Sequence, residues 1–271
     1  MKRHLFILLA LAMSAASVCA QSPFDDKWFD KPVRYRVNYD NDQFRIQKIV
    51  RNNYWTVFEI MHDDPYRAAG GWMYMEYNMK LVDQDTKKEY YLVNSTGIPK
   101  EPDRYNFTTE GPVKKVITLY FPPLPESVKK VTLVGRGMSC YDVDIAKVKP
   151  QIKEGFRTVE APAHVSKNKG LRLDRVMTDG EFTLLYLTYT APNTTSVNLS
   201  MGTSLVDPAT KKTYKLLKYG GIPKSPEKLY MEKGNSLSFF LVFQPLPATV
   251  KKVNMIESLT GNWDINGIVL P

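Results

Sequence analysis

Cysteine and histidine are scarce in this chain of 271 residues, and long apolar runs and blocks of one charge are missing. Beyond residue 20 the only cysteine is Cys140, so no intramolecular disulfide can form and no multi-thiolate metal site exists. Cys140 has no histidine near it in sequence to lower its pKa, and it reads as a small buried hydrophobe. His62 and His164 fall at unrelated points and belong to no H-E-x-x-H pattern. A G-x-S-x-G elbow and a glycine-rich phosphate loop are missing as well. The chain therefore reads as a non-enzyme, with no catalytic or metal residues and no cofactor. His62-Asp63-Asp64 sets an imidazole beside carboxylates, but neighbours on a strand point to opposite faces, so this reads as a turn. Asp40-Asn41-Asp42 and Asp83-Gln84-Asp85 lack the glycine and terminal glutamate of a calcium loop and read as Asx turns.

The one apolar run of note opens the chain. Lys2, Arg3 and His4 precede Leu5 to Met13, and a small-residue stretch ends Val18-Cys19-Ala20, the pattern of a signal peptide over 1–20 cleaved before Gln21. Val18 is bulky for the position before a lipidated cysteine, which argues against Cys19 as a lipid anchor. No later run reaches the roughly 18 apolar residues of a spanning helix. The expectation is an exported protein, periplasmic, surface-associated or extracellular, with no transmembrane segment. Lys and Arg total 37 against 28 acids; without Lys2 and Arg3 the balance is 35 − 28 = +7. The basic residues sit in scattered pairs rather than one patch, which excludes a nucleic-acid partner in this reading.

The dominant feature is an internal repeat. LVDQDTKKEYYLVNSTGIPKEP at 81–102 matches LVDPATKKTYKLLKYGGIPKSP at 205–226, and PLPESVKKV at 123–131 matches PLPATVKKV at 245–253. FRIQKIVRNNYWTVFEI at 44–60 pairs with LRLDRVMTDGEFTLLYL at 171–187, and YDVDIAKV at 141–148 pairs with WDINGIVL at 263–270. Each copy reads as short strands, such as Val116 to Phe121 and Phe239 to Phe243, bounded by Pro and Gly clusters. The stretches 83–88 and 207–212 are polar hairpin tips, and no helical period stands out. The expected fold is all-β, two tandem antiparallel immunoglobulin-like β-sandwiches: a first domain over 21–150 and a second, its repeat, over 151–271. The lysine pairs 87–88, 129–130, 211–212 and 251–252 recur in both copies, which marks them as framework: solubilising and edge-guarding residues.

The order of features resembles the telokin-like, immunoglobulin-like sandwich modules of exported bacterial proteins of unknown function. It comprises a strand such as LLYLTYT, a strand ending L-V-D, a turn into K-x-Y, GIP, and an apolar strand closing on PLP. The Gln21 start and the GIP and PLP phrases are similar to secreted proteins of the Bacteroidetes. The resemblance implies an extracytoplasmic binding or scaffolding module, with no enzymatic residues to carry over.

Function is sought where the copies differ. In WMYMEYNM at 72–79 alternation puts Met73, Met75, Tyr77 and Met79 inward, matched by Val197, Leu199, Met201 and Thr203. The other face carries Trp72, Tyr74, Glu76 and Asn78, against Ser196, Asn198, Ser200 and Gly202. The preceding loop, DDPYRAAGG, brings Tyr66 and Arg67 and is three residues longer in the first copy. Two aromatics with an arginine have the composition of a recognition patch, though Trp72 and Tyr74 would equally suit a cover between the two sandwiches. The reading is a secreted binding module that meets a glycan, peptide or protein partner through Trp72, Tyr74, Tyr66 and Arg67. The alternative is a structural subunit of an envelope assembly.

Overall fold

Short alternating strands and left-handed turns build the whole molecule. A computed structural model describes residues 38–271 apart from 40–42, 68–69, 109–110, 153 and 258–261. The signal segment, Cys19 and Asp40-Asn41-Asp42 thus lie outside the described residues.

The N-terminal half begins with β1 (Asn38–Tyr39), β2 (Phe44–Arg51), β3 (Thr56–Arg67), β4 (Trp72–Met73), β5 (Lys80–Asp83) and β6 (Glu89–Tyr91). It continues with β7 (Asn94–Thr96), β8 (Tyr105–Asn106), β9 (Gly111–Phe121), β10 (Lys130–Val134) and β11 (Cys140–Asp144). The C-terminal half has β12 (Arg157–Glu160), β13 (Val165–Ser166), β14 (Leu171–Thr178), β15 (Thr183–Thr190), β16 (Thr195–Val197) and β17 (Ser204–Val206). After these come β18 (Thr213–Gly220), β19 (Leu229–Met231), β20 (Ser236–Phe243), β21 (Lys252–Ile256) and β22 (Ile265–Val269). The described residues form no helix, hence none long and apolar enough to cross a membrane, and the ladders between these strands are antiparallel.

The N-terminal half forms a four-stranded sheet, β2-β3-β9-β7, a five-stranded sheet, β1-β11-β10-β5-β6, and the ribbon β4-β8. The C-terminal half holds one nine-stranded sheet, β12-β14-β15-β20-β18-β17-β21-β22-β13, and the ribbon β16-β19. One strand makes the difference. β18 pairs with β17 at its start and with β20 from Leu216 onward, with a bulge at Leu216/Lys218 inside the second ladder. The matching stretch of the first copy breaks at Leu92-Val93 into β6 and β7. Opposite ends of the nine-stranded sheet share one core, with Leu173, Leu187 and Phe239 against Val253, Met255 and Ile265, so the sheet curls around it as a half-barrel. In the N-terminal half Ile46, Phe58, Ile117 and Leu119 meet Leu81, Val131, Leu133 and Val143, with Cys140 buried among them.

The repeat extends to backbone detail. Bulges fall at Ile46/Lys48 and Leu173/Arg175, and again at Val131/Leu133 and Val253/Met255. Thr86 donates to Asp83 at 2.5 Å and Thr210 to Asp207 at 2.7 Å, while Lys87 and Lys211 take φ of 60° and 62°. The pairs 129–130 and 251–252 are not edge guards as expected, since β10 and β21 lie inside their sheets, whereas 87–88 precede β6 at the edge of its sheet. Lys88 and Lys212 cover the rings of Tyr90 and Tyr214, and Lys129 and Lys251 tie down the carbonyls of Glu126 and Ala248.

Four local expectations change. His62-Asp63-Asp64 is strand, not turn: β3 carries on through it because β9 supplies partners as far as Asp64, and His62 is fully buried against Phe44 at 4.6 Å. The longer segment before Trp72 is ribbon rather than loop, with β3 and β9 extended to the Arg67–Gly111 pair. Pro65 is accommodated because β2 stops pairing at His62, and a register shift follows Asp64. Residues 72–79 form only a two-residue strand and an isolated bridge at Met75, yet the alternation of faces survives. Met201 is 47 % exposed and Ser200 buried, because the turn at 201–202 rotates the chain out of register.

The halves are joined through the outer faces of their large sheets. Val50, Trp55, Val57 and Tyr120 meet Met177, Leu184, Tyr186, Phe240 and Val242. Trp55 stands edge-on to Tyr120, Tyr186 and Phe240 at 6.0, 5.3 and 5.1 Å. At the same boundary Lys100 is buried, its Nζ donating among the carbonyls of Leu92 (2.9 Å), Val93 (3.4 Å), Gly221 (3.0 Å) and Ser238 (3.2 Å). Gly221 is required here: a Cβ would stand 2.4 Å from the carbonyl oxygen of Val93. Burial pushes the Lys100 ammonium down to about 7, with the charge of Glu101 acting against it. Folding then releases a proton between that value and the free lysine value, so stability rises with pH across roughly 7 to 10.5. Subtracting Lys100→Met isolates the effect. In urea melts the wild-type-minus-variant difference should climb with pH, by at most about 1.4 kcal/mol per unit; parallel curves would show that the four carbonyls hold the ammonium at its ordinary value.

Candidate recognition surface

The ribbon β4-β8 presents the side chains singled out by the repeat. Gly70 and Gly71 lead into it, with Gly70 N–H donating to the Phe107 carbonyl and Phe107 N–H to that of Gly71. Trp72 pairs with Asn106 and Met73 with Tyr105. Met73 packs on the N-terminal core, so alternation turns Trp72 and Tyr74 to the opposite, outer side. Their rings stack at 5.4 Å and 7°, and Trp72 is 48 % exposed. The Arg104 guanidinium lies 4.2 Å from the Trp72 ring centre and 6.0 Å from that of Tyr74. Had it lain across the indole from Tyr74, two stacking distances would separate them by about 8 Å. Tyr74 and Arg104 therefore share one side of Trp72.

Trp72, Tyr74 and Arg104 thus come together as an exposed indole stacked on a half-buried phenol ring, with a held cation. Arg104 carries no signal in the repeat, since its counterpart is Lys228; only the pairing of β4 with β8, which Arg104 immediately precedes, reveals it. Tyr66 and Arg67 end β3, but their side chains lie outside the described part. On the reverse of the ribbon Tyr105 meets Phe107 edge-on at 5.1 Å, and Lys115 sits 3.7 Å over the Tyr105 ring. Nearby, burial raises the pKa of Glu101, opposed by a hydrogen bond from the Tyr77 backbone. Glu76 accepts from Arg136 N–H at 3.1 Å.

The second copy differs in an instructive way. Its ribbon pairs Ser196 with Tyr230, which is 71 % exposed. Each copy thus carries one large exposed aromatic on the same cross-strand pair, on β4 in the first and β19 in the second. Tyr77, expected in its own core, enters that of the C-terminal half and receives a 2.9 Å hydrogen bond from Asn235 Nδ2.

No model of a protein family matches the chain, and no curated protein matches it. Among solved structures, the crystal structure of the conserved domain protein from Bacillus anthracis is similar at 11 % identity and a TM-score of 0.33, covering 90 % of this chain and 93 % of that one.

Because Trp72 stands half in water while Trp55 is fully buried, their truncations should part widely. In urea melts Trp72→Ala should cost no more than about 1 kcal/mol, and Trp55→Ala about 3–5 kcal/mol. Equal losses would mean that Trp72 carries core packing.

Proposed function

We propose that the chain is an exported, non-catalytic binding module of two tandem immunoglobulin-like sandwiches. Its first half recognises a glycan, peptide or protein partner through Trp72, Tyr74 and Arg104. The observation that carries this reading is the exposed Trp72, stacked on a half-buried Tyr74 with Arg104 beside it. Large exposed aromatics oppose solubility unless a ligand or partner covers them. Ring stacking and the guanidinium fix their positions beforehand, so little side-chain entropy is lost on binding. The sandwich reading is supported in the N-terminal half by a core drawn from both of its larger sheets.

Partners would be sought on glycan and peptide arrays with the chain from Gln21 onward, then measured with Trp72→Ala and Trp72→Phe. Trp72→Ala should weaken the selected interaction tenfold or more, as truncating an aromatic hot spot costs about 2 kcal/mol. Trp72→Phe should retain most of it. Undiminished binding by a correctly folded Trp72→Ala protein would remove this surface from the function.

A further inference from the structure

A second surface lies where the halves meet, and its chemistry is unlike that of the aromatic ribbon. A cleft of about 540 Å³ opens between Glu89, Tyr91 and the prolines Pro122, Pro123 and Pro125 on one side and β14, β15 and β20 on the other. That volume is within the range of small-ligand sites, which favour such boundaries.

The floor of the cleft continues the junction. On the outer face, β15 and β20 pair Leu184 with Val242, Tyr186 with Phe240, Thr188 with Ser238 and Thr190 with Ser236. The first two pairs are apolar and sealed against the N-terminal half. The last two carry only hydroxyls and face the cleft. In the first copy the matching pairs are Met61 with Val116 and Asp63 with Lys114, the latter an ion pair at 3.3 Å. The hydroxyl rows are therefore particular to the second copy and no framework requirement of the fold.

In one row the hydrogen bonds have a direction. An ionised carboxylate only accepts, so Thr188 donates to Asp174 Oδ2 (2.6 Å), and Ser238 must then donate to Thr188 (2.8 Å). Beside that row Tyr91 donates to Glu89, and the hydroxyls of Thr190 and Ser236 share a hydrogen bond at 2.8 Å in which either can donate. The first row ends on the Asp174 carboxylate, and its open end, Ser238 Oγ, presents lone pairs. A ligand seated here has to donate hydrogen bonds, which excludes simple anions. Cationic donors meet Lys88, Arg172 and Arg175 in the same wall. The two arginines are balanced in place, Arg175 by Glu160 at 2.5 Å and Arg172 by Asp174; Lys88 lies over the Tyr90 ring, and Glu89 is held by Lys80 at 2.6 Å. What remains is a neutral donor of several hydroxyls. The rings of Tyr90 and Tyr91 and the three prolines supply apolar walls for the C–H faces of such a molecule.

We infer that the cleft between the halves binds a neutral saccharide, with Thr188, Ser238, Thr190 and Ser236 accepting hydrogen bonds from its hydroxyls. This site is separate from the Trp72 surface and stands or falls independently of it.

Calorimetric titration with maltotriose, cellotriose and triacetylchitotriose tests the inference, with trigalacturonic acid and the deacetylated chitosan trimer as charged controls. At least one neutral trisaccharide should bind in preference to both controls. Thr188→Val/Ser238→Ala, or Thr190→Val/Ser236→Ala should the first pair fail to fold, should weaken it tenfold or more. Trp72→Ala should leave it within twofold. The inference is overturned if no neutral trisaccharide binds, if a charged control binds as well or better, or if folded row variants bind normally. Loss in Trp72→Ala with the row variants unaffected would assign the sugar to the ribbon and overturn the cleft alone.

Discussion

The packing of Trp55 across the boundary between the halves is the contact on which the other features depend. Its indole touches Tyr120 from its own half and Tyr186 and Phe240 from the other, so one side chain holds both outer sheet faces in place. With those faces closed, Lys100 can lie under four carbonyls without a carboxylate in contact. An ammonium has three donors, and this cage uses them entirely on backbone groups. A buried cation so held favours one relative placement of the halves, because sliding the boundary would strand the charge away from its acceptors.

That boundary joins two copies of one sequence, yet the copies do not use it equivalently. Val50 and Met177, Trp55 and Phe182, Val57 and Leu184, and Tyr120 and Val242 occupy matching positions and share one cluster. Around this near-symmetric centre the pairs diverge. Tyr77 enters the opposite core while Met201 is exposed; Val93 is buried while Leu217 is 53 % exposed; Lys100 is caged while Lys224 is exposed. A duplicated face buried on one side and left in water on the other no longer has a shared requirement, and its residues are released to differ.

The sequence was most legible where backbone requirements repeat. Hairpin tips at 83–88 and 207–212, the all-β class and the inward Met75 and Met79 follow from alternation and turn chemistry, which are local. The legibility ended where the cause is tertiary. The 62–64 strand depends on β9 supplying a partner, Tyr77 on a neighbour's core, and Arg104 on a register that joins residues about thirty positions apart. FFLVF at 239–243 did carry an unread signal: apolar residues at consecutive positions mark a strand buried on both faces, and hence a second layer against its outer side.

The same strand shows how the cleft arises from the junction. Along the outer face of β20, Val242 and Phe240 are apolar where the N-terminal half covers them, and Ser238 and Ser236 are hydroxyl-bearing where it pulls away. Ser238 and Thr188 are buried even so, at 3 % and 4 % exposure, and a buried hydroxyl must be satisfied. The Thr188–Ser238 row meets that demand by leaning on Asp174, which orders its protons and leaves its open end an acceptor. The polarity offered to a ligand is thus a consequence of how the fold satisfies its own buried hydroxyls. The aromatic ribbon follows the opposite logic, keeping its large apolar surface outside the core and holding it ready with ring stacking and the Arg104 guanidinium.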